Sequence, residues 1–319
     1  PANLLYNFCA AMMRSVGDTK RPMIFLLIAC IVNVGLDILF VLVIPLGVTG
    51  VALGTALSQT LAAALSVISM FRDQGALKLE WKSLKLYPKK LGTILKIGIP
   101  AGIQSAVFSL SNVVIQSAIN GFGKAAVAGM GAGYQIEIFV YEAVYGFYHT
   151  SINFVGQNVG AKRYDRIKKG LLVNLVTVSV VCIVLGGGSY LFGDYLLRLY
   201  TDSPEAIRYG MIRLLIVVMP YILLGFMEVI SGAVRGLGAS ITPMLVSLIG
   251  CCLLRVVWVM TVFKANPTME TLMWEYPVTW TVAIIGHTIS FFIFYARMKK
   301  RLENPSLPRR RRRSSLDEL

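Results

Sequence analysis

Arg14-Ser15-Val16-Gly17-Asp18-Thr19-Lys20-Arg21-Pro22-Met23 has a counterpart in Arg235-Gly236-Leu237-Gly238-Ala239-Ser240-Ile241-Thr242-Pro243-Met244. Arg, Gly, Pro and Met recur at identical spacing, and each copy lies between an apolar helix end and a new apolar run. The glycine permits a tight loop, and the proline suits a first helical turn, where its missing N–H costs little. Two such junctions in one chain point to an internal duplication.

Working outward, eight apolar blocks approach or exceed the roughly 20 residues that a bilayer-spanning helix needs: 22–44, 48–71, 94–120, 125–152, 171–192, 211–230, 244–263 and 278–295. Six of them separate the two junctions, so both junctions fall on one side of the membrane. That is a parallel repeat of the kind found in secondary transporters. The repeat unit is then six helices and the complete protein twelve, in two duplicated six-helix lobes. The expected fold is an all-α polytopic membrane protein with about eight complete spans here, plus a partial one at residues 2–13. That first stretch is too short to span and has no charged n-region or cleavage site. By the same arithmetic about three and a half helices are expected ahead of Pro1. The expected division is 1–72 for the remainder of the first lobe, 73–95 for a cytoplasmic inter-lobe loop, 96–298 for the second lobe and 299–319 for a basic tail.

Composition agrees. The 319 residues are 56% hydrophobic and 15% charged, with a mean hydropathy of +0.68. A soluble domain of this length needs more polar surface. The roughly ten-residue alternation of an outer-membrane barrel is missing from the sequence. The net charge of +15 is sorted by side. Twenty-five Lys and Arg fall in alternate loops on one side, Arg235 among them, against Lys124, Arg198, Arg208 and Lys264 on the other. Basic loops stay in the cytoplasm, so the C-terminus is expected on the cytoplasmic side of the membrane. The run Arg309–Arg313 has no interleaved aromatics, which argues for contact with anionic lipid rather than nucleic acid. Trp274, Tyr276 and Trp280 are read as interfacial aromatics. The five cysteines sit singly or adjacent in apolar blocks, without a CxxC pair, and read as small buried hydrophobes.

The junctions carry a likeness. Arg14-x-x-Gly17-Asp18-Thr19-x-x-Pro22, with Asn33 and Asp37 beyond it, resembles the loop and fifth helix of multidrug and toxic compound extrusion (MATE) exporters. Gly156-Gln157-Asn158-Val159-Gly160-Ala161 followed by Tyr164-Asp165-Arg166 is similar to that family's signature after the eighth helix. Gly98-Ile99-Pro100 and Arg235-Gly236-Leu237-Gly238 fit the same pattern. The branch is similar to bacterial members close to the DNA-damage-inducible subgroup, which implies a place in a bacterial inner membrane. The resemblance implies a drug/cation antiporter, an N-lobe cation site at Asn33, Asp37 and Thr55, and a further aspartate on a first helix ahead of Pro1.

Ionisable groups inside a span are costly and are functional hypotheses by default. Asp37 and Asn33 share a helix face one turn apart, and Thr55 lies in a Gly/Ala/Thr run of the next span. A carboxylate with two neutral oxygens suits H+ or Na+; the alternative is an Asp that caps a broken helix or pairs with a lysine. In the block 125–152, Tyr134, Tyr141, Tyr145 and Tyr148 share a stripe with Glu137 at its edge. Gln135, Glu142 and His149 form a second stripe beside it. Aromatic faces with carboxylates attract lipophilic cations; the alternative is tyrosine hydroxyls bonding neighbouring helices. Ser105, Ser109, Asn112 and Gln116, with Gln104 adjacent, form a polar stripe facing a cavity or another helix. Candidate substrate residues are therefore Glu137, Glu142, Tyr141, Tyr145, Gln104, Asn112 and Gln116. His149 and His287 read as packing residues, and Arg255 requires an acidic or carbonyl partner.

No P-loop, nucleophile elbow or zinc spacing appears, so the chain reads as neither an enzyme nor an ATP-driven pump. The expected function is antiport of organic cations against H+ or Na+, with no cofactor, by a protein that is monomeric when complete. A flippase for lipid-linked sugars is the alternative. It calls for several cavity bases, whereas the intramembrane groups are mainly acidic: Asp37, Glu137, Glu142 and Glu228 against Arg213 and Arg255.

Overall fold

The structure is a computed structural model that describes residues 1–80 and 85–303; part of the expected 73–95 loop and most of the basic tail, Arg309–Arg313 included, lie outside them. The described residues form helices α1 (Ala2–Ser15), α2 (Lys20–Ile38), α3 (Val48–Arg72), α4 (Pro88–Asn120), α5 (Lys124–Gly160), α6 (Tyr164–Leu191) and α7 (Gly193–Arg198). They continue with α8 (Pro204–Arg213), α9 (Tyr221–Gly236), α10 (Ile241–Ser247), α11 (Leu254–Trp258), α12 (Met269–Met273) and α13 (Glu275–Glu303). The protein is an all-helical, polytopic membrane chain. Among the described residues six helices are long and apolar enough to cross a bilayer, or seven if α8 and α9 count as one bent span. The eighth expected block is α5, 37 residues long; its polar residues keep it out of that count, because one of its faces lines a cavity.

The duplicated junctions fold alike. In each, the glycine has a left-handed backbone, φ 91° at Gly17 and 85° at Gly238. In the first, Gly17 N–H donates to Arg14 O at 3.0 Å and Asp18 N–H to Met13 O at 3.0 Å; in the second, Gly238 N–H donates to Arg235 O at 2.8 Å and Ala239 N–H to Val234 O at 3.3 Å. Both are Schellman caps, which satisfy helix-end carbonyls and need a residue that tolerates positive φ. Pro22 and Pro243 are buried in the turn that follows.

Helix contacts divide the chain into two units, Pro1–Tyr87 and Pro88–Leu319. In the first, α1, α2 and α3 meet around Tyr6, Ala10, Ala29, Ala62 and Ala63. The chain beyond α3 also belongs to this unit: Leu77 is buried with Cys9, Met13 and Met70. Arg21 fastens that end, donating to Asp18, to Asp73 at 2.8 Å and to Ser69 at 3.3 Å.

In the second unit α5 is central, packed against α6, α8 and α9, while α13 lies on α9. Apolar surroundings give helices little hydrophobic reason to associate, so close contact of small residues matters more. Gly129 faces the carbonyl of Ala206, and Gly232 faces that of Tyr148, where an added Cβ would come within 2.7 Å of the oxygen. Ser203 caps α8 by accepting from Ala206 N–H at 3.4 Å, with Pro204 at the first turn. The expected span 211–230 is broken: α8 and its π-helical extension Leu214–Val218 meet α9 at a bend of 43°. Pro220 at that joint has no N–H to carry the ladder across. The span 244–263 carries two π segments, Leu248–Leu253 and Val259–Phe263. A π turn, Leu39–Val43, continues α2 and begins two residues after Asp37.

Candidate functional site

A cavity of about 780 Å³ lies within the second unit. Helix α4 contributes Gln104, Ser105, Ser109, Asn112 and Gln116 to it, so the polar stripe of that helix faces the cavity. Helix α5 contributes Tyr134, Glu137, Tyr141, Tyr145 and Tyr148; α8 contributes Arg213; α9 contributes Glu228, Ser231 and Arg235; and α13 contributes Tyr276 and Trp280. Three of the tyrosines form a ladder, with ring centroids 5.7 Å apart for Tyr141–Tyr145 and 5.2 Å for Tyr145–Tyr148. Successive turns of α5 set that ladder. His149 stands edge-on to Tyr145 at 4.7 Å.

The charges are arranged differently from the sequence expectation. Glu137 is 7% exposed and Arg213 5%. Arg213 Nε donates to Glu137 Oε2 at 2.7 Å, and Tyr221 Oη donates to Oε1 at 2.9 Å. Glu137 is therefore satisfied by protein groups rather than held open for a ligand. Because Arg213 precedes the bend and Tyr221 follows it, one carboxylate ties both arms of the broken span. Arg213 also stacks over Tyr134 and Tyr276, at 5.2 and 5.7 Å. Glu142 is exposed and outside the cavity lining, because it falls on the neighbouring face of α5 with Gln135.

Arg255 donates to Glu275 at 3.0 Å and to Asn112 Oδ1 at 2.7 Å, which supplies the partners that its burial demands and commits one of Asn112's acceptor sites. Gln116 donates to Asn120 at 3.0 Å. Tyr276 and Trp280 line the cavity, and Trp280 is buried, so of the three aromatics read as interfacial only Trp274 is exposed. Arg235, counted with the loop cations, is in the last turn of α9 and reaches the cavity, donating to Gln104 Oε1 at 2.6 Å. The ionisable lining is thus balanced, Glu137 and Glu228 against Arg213 and Arg235, rather than acidic. Glu228 has no hydrogen bond or ion pair among the described residues. Its signal, a lone acid in an apolar block, was available in the sequence.

In the first unit, Asn33 Nδ2 lies 3.5 Å from Asp37 Oδ1. Gly54 on α3 lets that carboxylate approach: a Cβ there would come 2.5 Å from Oδ1. The Thr55 hydroxyl donates to Val51 O at 3.0 Å on its own helix, and the side chain is exposed. Asn33 and Asp37 are brought together, while the Thr55 hydroxyl is turned to its own helix.

The MatE family model matches residues 100–261, half of the chain and most of the cavity wall. The chain belongs to the MatE family. Among MatE relatives, the probable multidrug resistance protein YpnP of Bacillus subtilis (strain 168) is 30% identical over 252 residues, covering 78% of this chain and 56% of that protein. The probable multidrug resistance protein NorM of Thermotoga maritima is 26% identical, over 75% of this chain and 52% of its own length. The chain therefore spans about half the length of the curated relatives it matches. The Vibrio cholerae MATE transporter VcmN, crystallised in the bent form, superposes with a TM-score of 0.82 at 19% identity, covering 94% of this chain and 68% of that one. An outward-facing multidrug resistance MATE family transporter gives a TM-score of 0.82 at 16% identity, covering 93% and 66%. At such identities the MatE structures speak for the fold alone.

Proposed function

We propose that this chain carries the drug-binding lobe of a secondary active exporter, which moves organic, mostly cationic molecules out across a bacterial inner membrane in exchange for H+ or Na+. The observation that carries the proposal is the 780 Å³ cavity, of the size of a small-molecule site, walled by a tyrosine ladder and an uncommitted carboxylate. Tyr141 and Tyr145 supply ring faces for a lipophilic cation. Gln104, Asn112 and Gln116 supply polar edges, and Glu228 replaces Glu137 as the charge that meets the ligand. The coupling ion binds at Asp37 beside Asn33, with Thr55 as the more distant oxygen. Neutralising Asp37 there would act on the π turn that begins two residues later, a feature frequent at functional sites. The complete protein acts as a monomer with its C-terminus in the cytoplasm, near the DNA-damage-inducible branch of the family. The flippase alternative needs several uncommitted bases, and Arg235 alone among the cavity cations lacks an acidic partner within the described residues.

Ethidium accumulation tests this proposal. Cells stripped of their own exporters should hold less dye when they express the intact protein, and Asp37→Asn should remove the difference. Equal accumulation with and without the protein would overturn the proposal.

A further inference from the structure

The cations of the basic side are not alike. Arg21 is held by Asp18 and Asp73, and Arg163 by Asp165 at 3.2 Å. Lys168, in the second turn of α6, has no acidic partner among the described residues. Its Nζ lies instead 4.9 Å from the ring centre of Tyr295 and 6.0 Å from that of Phe292, both on α13. Tyr295 Oη donates to Tyr164 O at 3.2 Å, which ties α13 to the first turn of α6. Ring faces thus hold an ammonium at the apolar edge of a helix seam, where it would otherwise extend into water. Lys169 on α6, and Arg297 and Lys300 on α13, add positive charge at the same end, and no ion pair engages them among the described residues. Two apolar rows lead away from that seam. Lys168, Leu172 and Leu175 share a face of α6 at four-three spacing, and Ile285 and Phe292 share a face of α13 at seven. Because Lys168 meets Phe292, the rows run side by side. Leu172 is 63% exposed, and Ile285 and Phe292 are each 56% exposed. Both helices pack on α9, so the paired rows form an outward face.

We propose that the α6–α13 seam is a binding site for an anionic diacyl phospholipid. In a bilayer an exposed apolar face meets acyl chains, which are as apolar as leucine. Cations gathered at the headgroup end of such a face are complementary to an anionic headgroup. The phosphate meets the Lys168 ammonium, with Lys169 and Lys300 flanking it, and the acyl chains lie along the rows of Leu172 and Phe292. Tyr295 positions Lys168 and keeps the two helices together beneath the headgroup. The nearest acid in sequence, Asp165, is engaged by Arg163 and does not compete for Lys168. The site lies on the outer face of the second unit and is independent of the cavity and of the export reading.

Native mass spectrometry of the protein in a neutral detergent tests it, by titrating dioleoyl phosphatidylglycerol, dioleoyl phosphatidylcholine and free glycerol phosphate. The first phosphatidylglycerol should bind at least roughly fivefold tighter than phosphatidylcholine, the worth of one cation near the membrane surface. Lys168→Met keeps the apolar stem of an exposed side chain and should weaken that first phosphatidylglycerol by roughly fivefold, leaving phosphatidylcholine unchanged. Lys168→Arg should retain the preference. Lys20→Met, which removes an equal charge from the first unit, should leave it intact. Glycerol phosphate should not displace the lipid, because it lacks the chains that the rows hold. Equal affinity for the two lipids overturns the inference. Equal losses from Lys168→Met and Lys20→Met also overturn it, since they would show diffuse attraction to all the basic loops. Displacement by glycerol phosphate at equal concentration would make the seam a site for free phosphate and not for lipid.

Discussion

Glu137→Gln is the substitution whose consequence the structure changes most. As a drug contact, Glu137 would matter for cationic ligands and little for folding. As built, its carboxylate accepts from Arg213 at 2.7 Å and Tyr221 at 2.9 Å, in a site 5–7% exposed. The amide removes the charge and turns a donor toward groups that are themselves donors. Breaking one side of a buried ion pair costs about 3–5 kcal/mol, because the other charge is stranded. For a unit of this size that is a fall of about 10 °C in Tm. Thermal unfolding followed by tryptophan fluorescence suits the question, since Trp280 packs edge-on against Tyr221 at 5.5 Å. Glu142→Gln, on an exposed face, should shift stability by less than about 0.5 kcal/mol. The double variant Glu137→Leu with Arg213→Met should recover most of the loss, because it removes both charges at once. Glu137→Gln should also weaken cationic and neutral ligands alike. Unchanged stability in Glu137→Gln, with a selective loss of cations, would refute the clasp and return Glu137 to the ligand.

Asp37→Asn should abolish gradient-driven export while protein level and drug binding persist, measured by efflux and by equilibrium binding in the same preparation. Gly54→Ala should mimic it, because its Cβ would crowd Asp37 Oδ1, an overpacking worth about 1–3 kcal/mol; full transport in that variant would count against the site. The hydrogen bond that Arg21 donates, and then that from Gly75 N–H, hold the Asp73 carboxyl below its ordinary range. A depressed folded value means that the clasp is present above the unfolded value, about 3.9, and is lost as pH falls through the folded value. Limited proteolysis of the segment after α3 should therefore be slow at neutral pH and speed up only in strong acid, and Arg21→Gln should speed it at every pH. Cysteines placed near Lys90 and Arg166 should label from the cytoplasm, and one near Asn266 from outside; the reverse pattern would invert the topology.

The junctions were legible because their chemistry is local. A glycine at positive φ and a proline one turn later can be read off ten residues, and both copies fold as read. The polar stripe of α4 and the tyrosine ladder of α5 were legible for a similar reason, since helical period alone places them. Pairing between distant helices was not. Nothing near Glu137 in sequence announces Arg213, 76 residues on, so in sequence an acid in a span reads as an open charge. Arg235 reads as a loop cation because it ends a helix, although a long side chain at a helix end can turn inward as readily as outward. The bend at Pro220 is likewise invisible to hydropathy, which carries no information about direction. Glu228 is visible in the sequence as an intramembrane acid, and only its neighbours reveal that it has no hydrogen bond or ion pair among the described residues.

The central claim, ion-driven export, is tested most directly by reconstituting the intact protein in liposomes loaded with ethidium and imposing a proton gradient and a sodium gradient separately. The account predicts efflux under at least one gradient, none without a gradient, and none under either for Asp37→Asn. Efflux at the parent rate from the Asp37→Asn protein, or no efflux from the parent under both gradients, would contradict it.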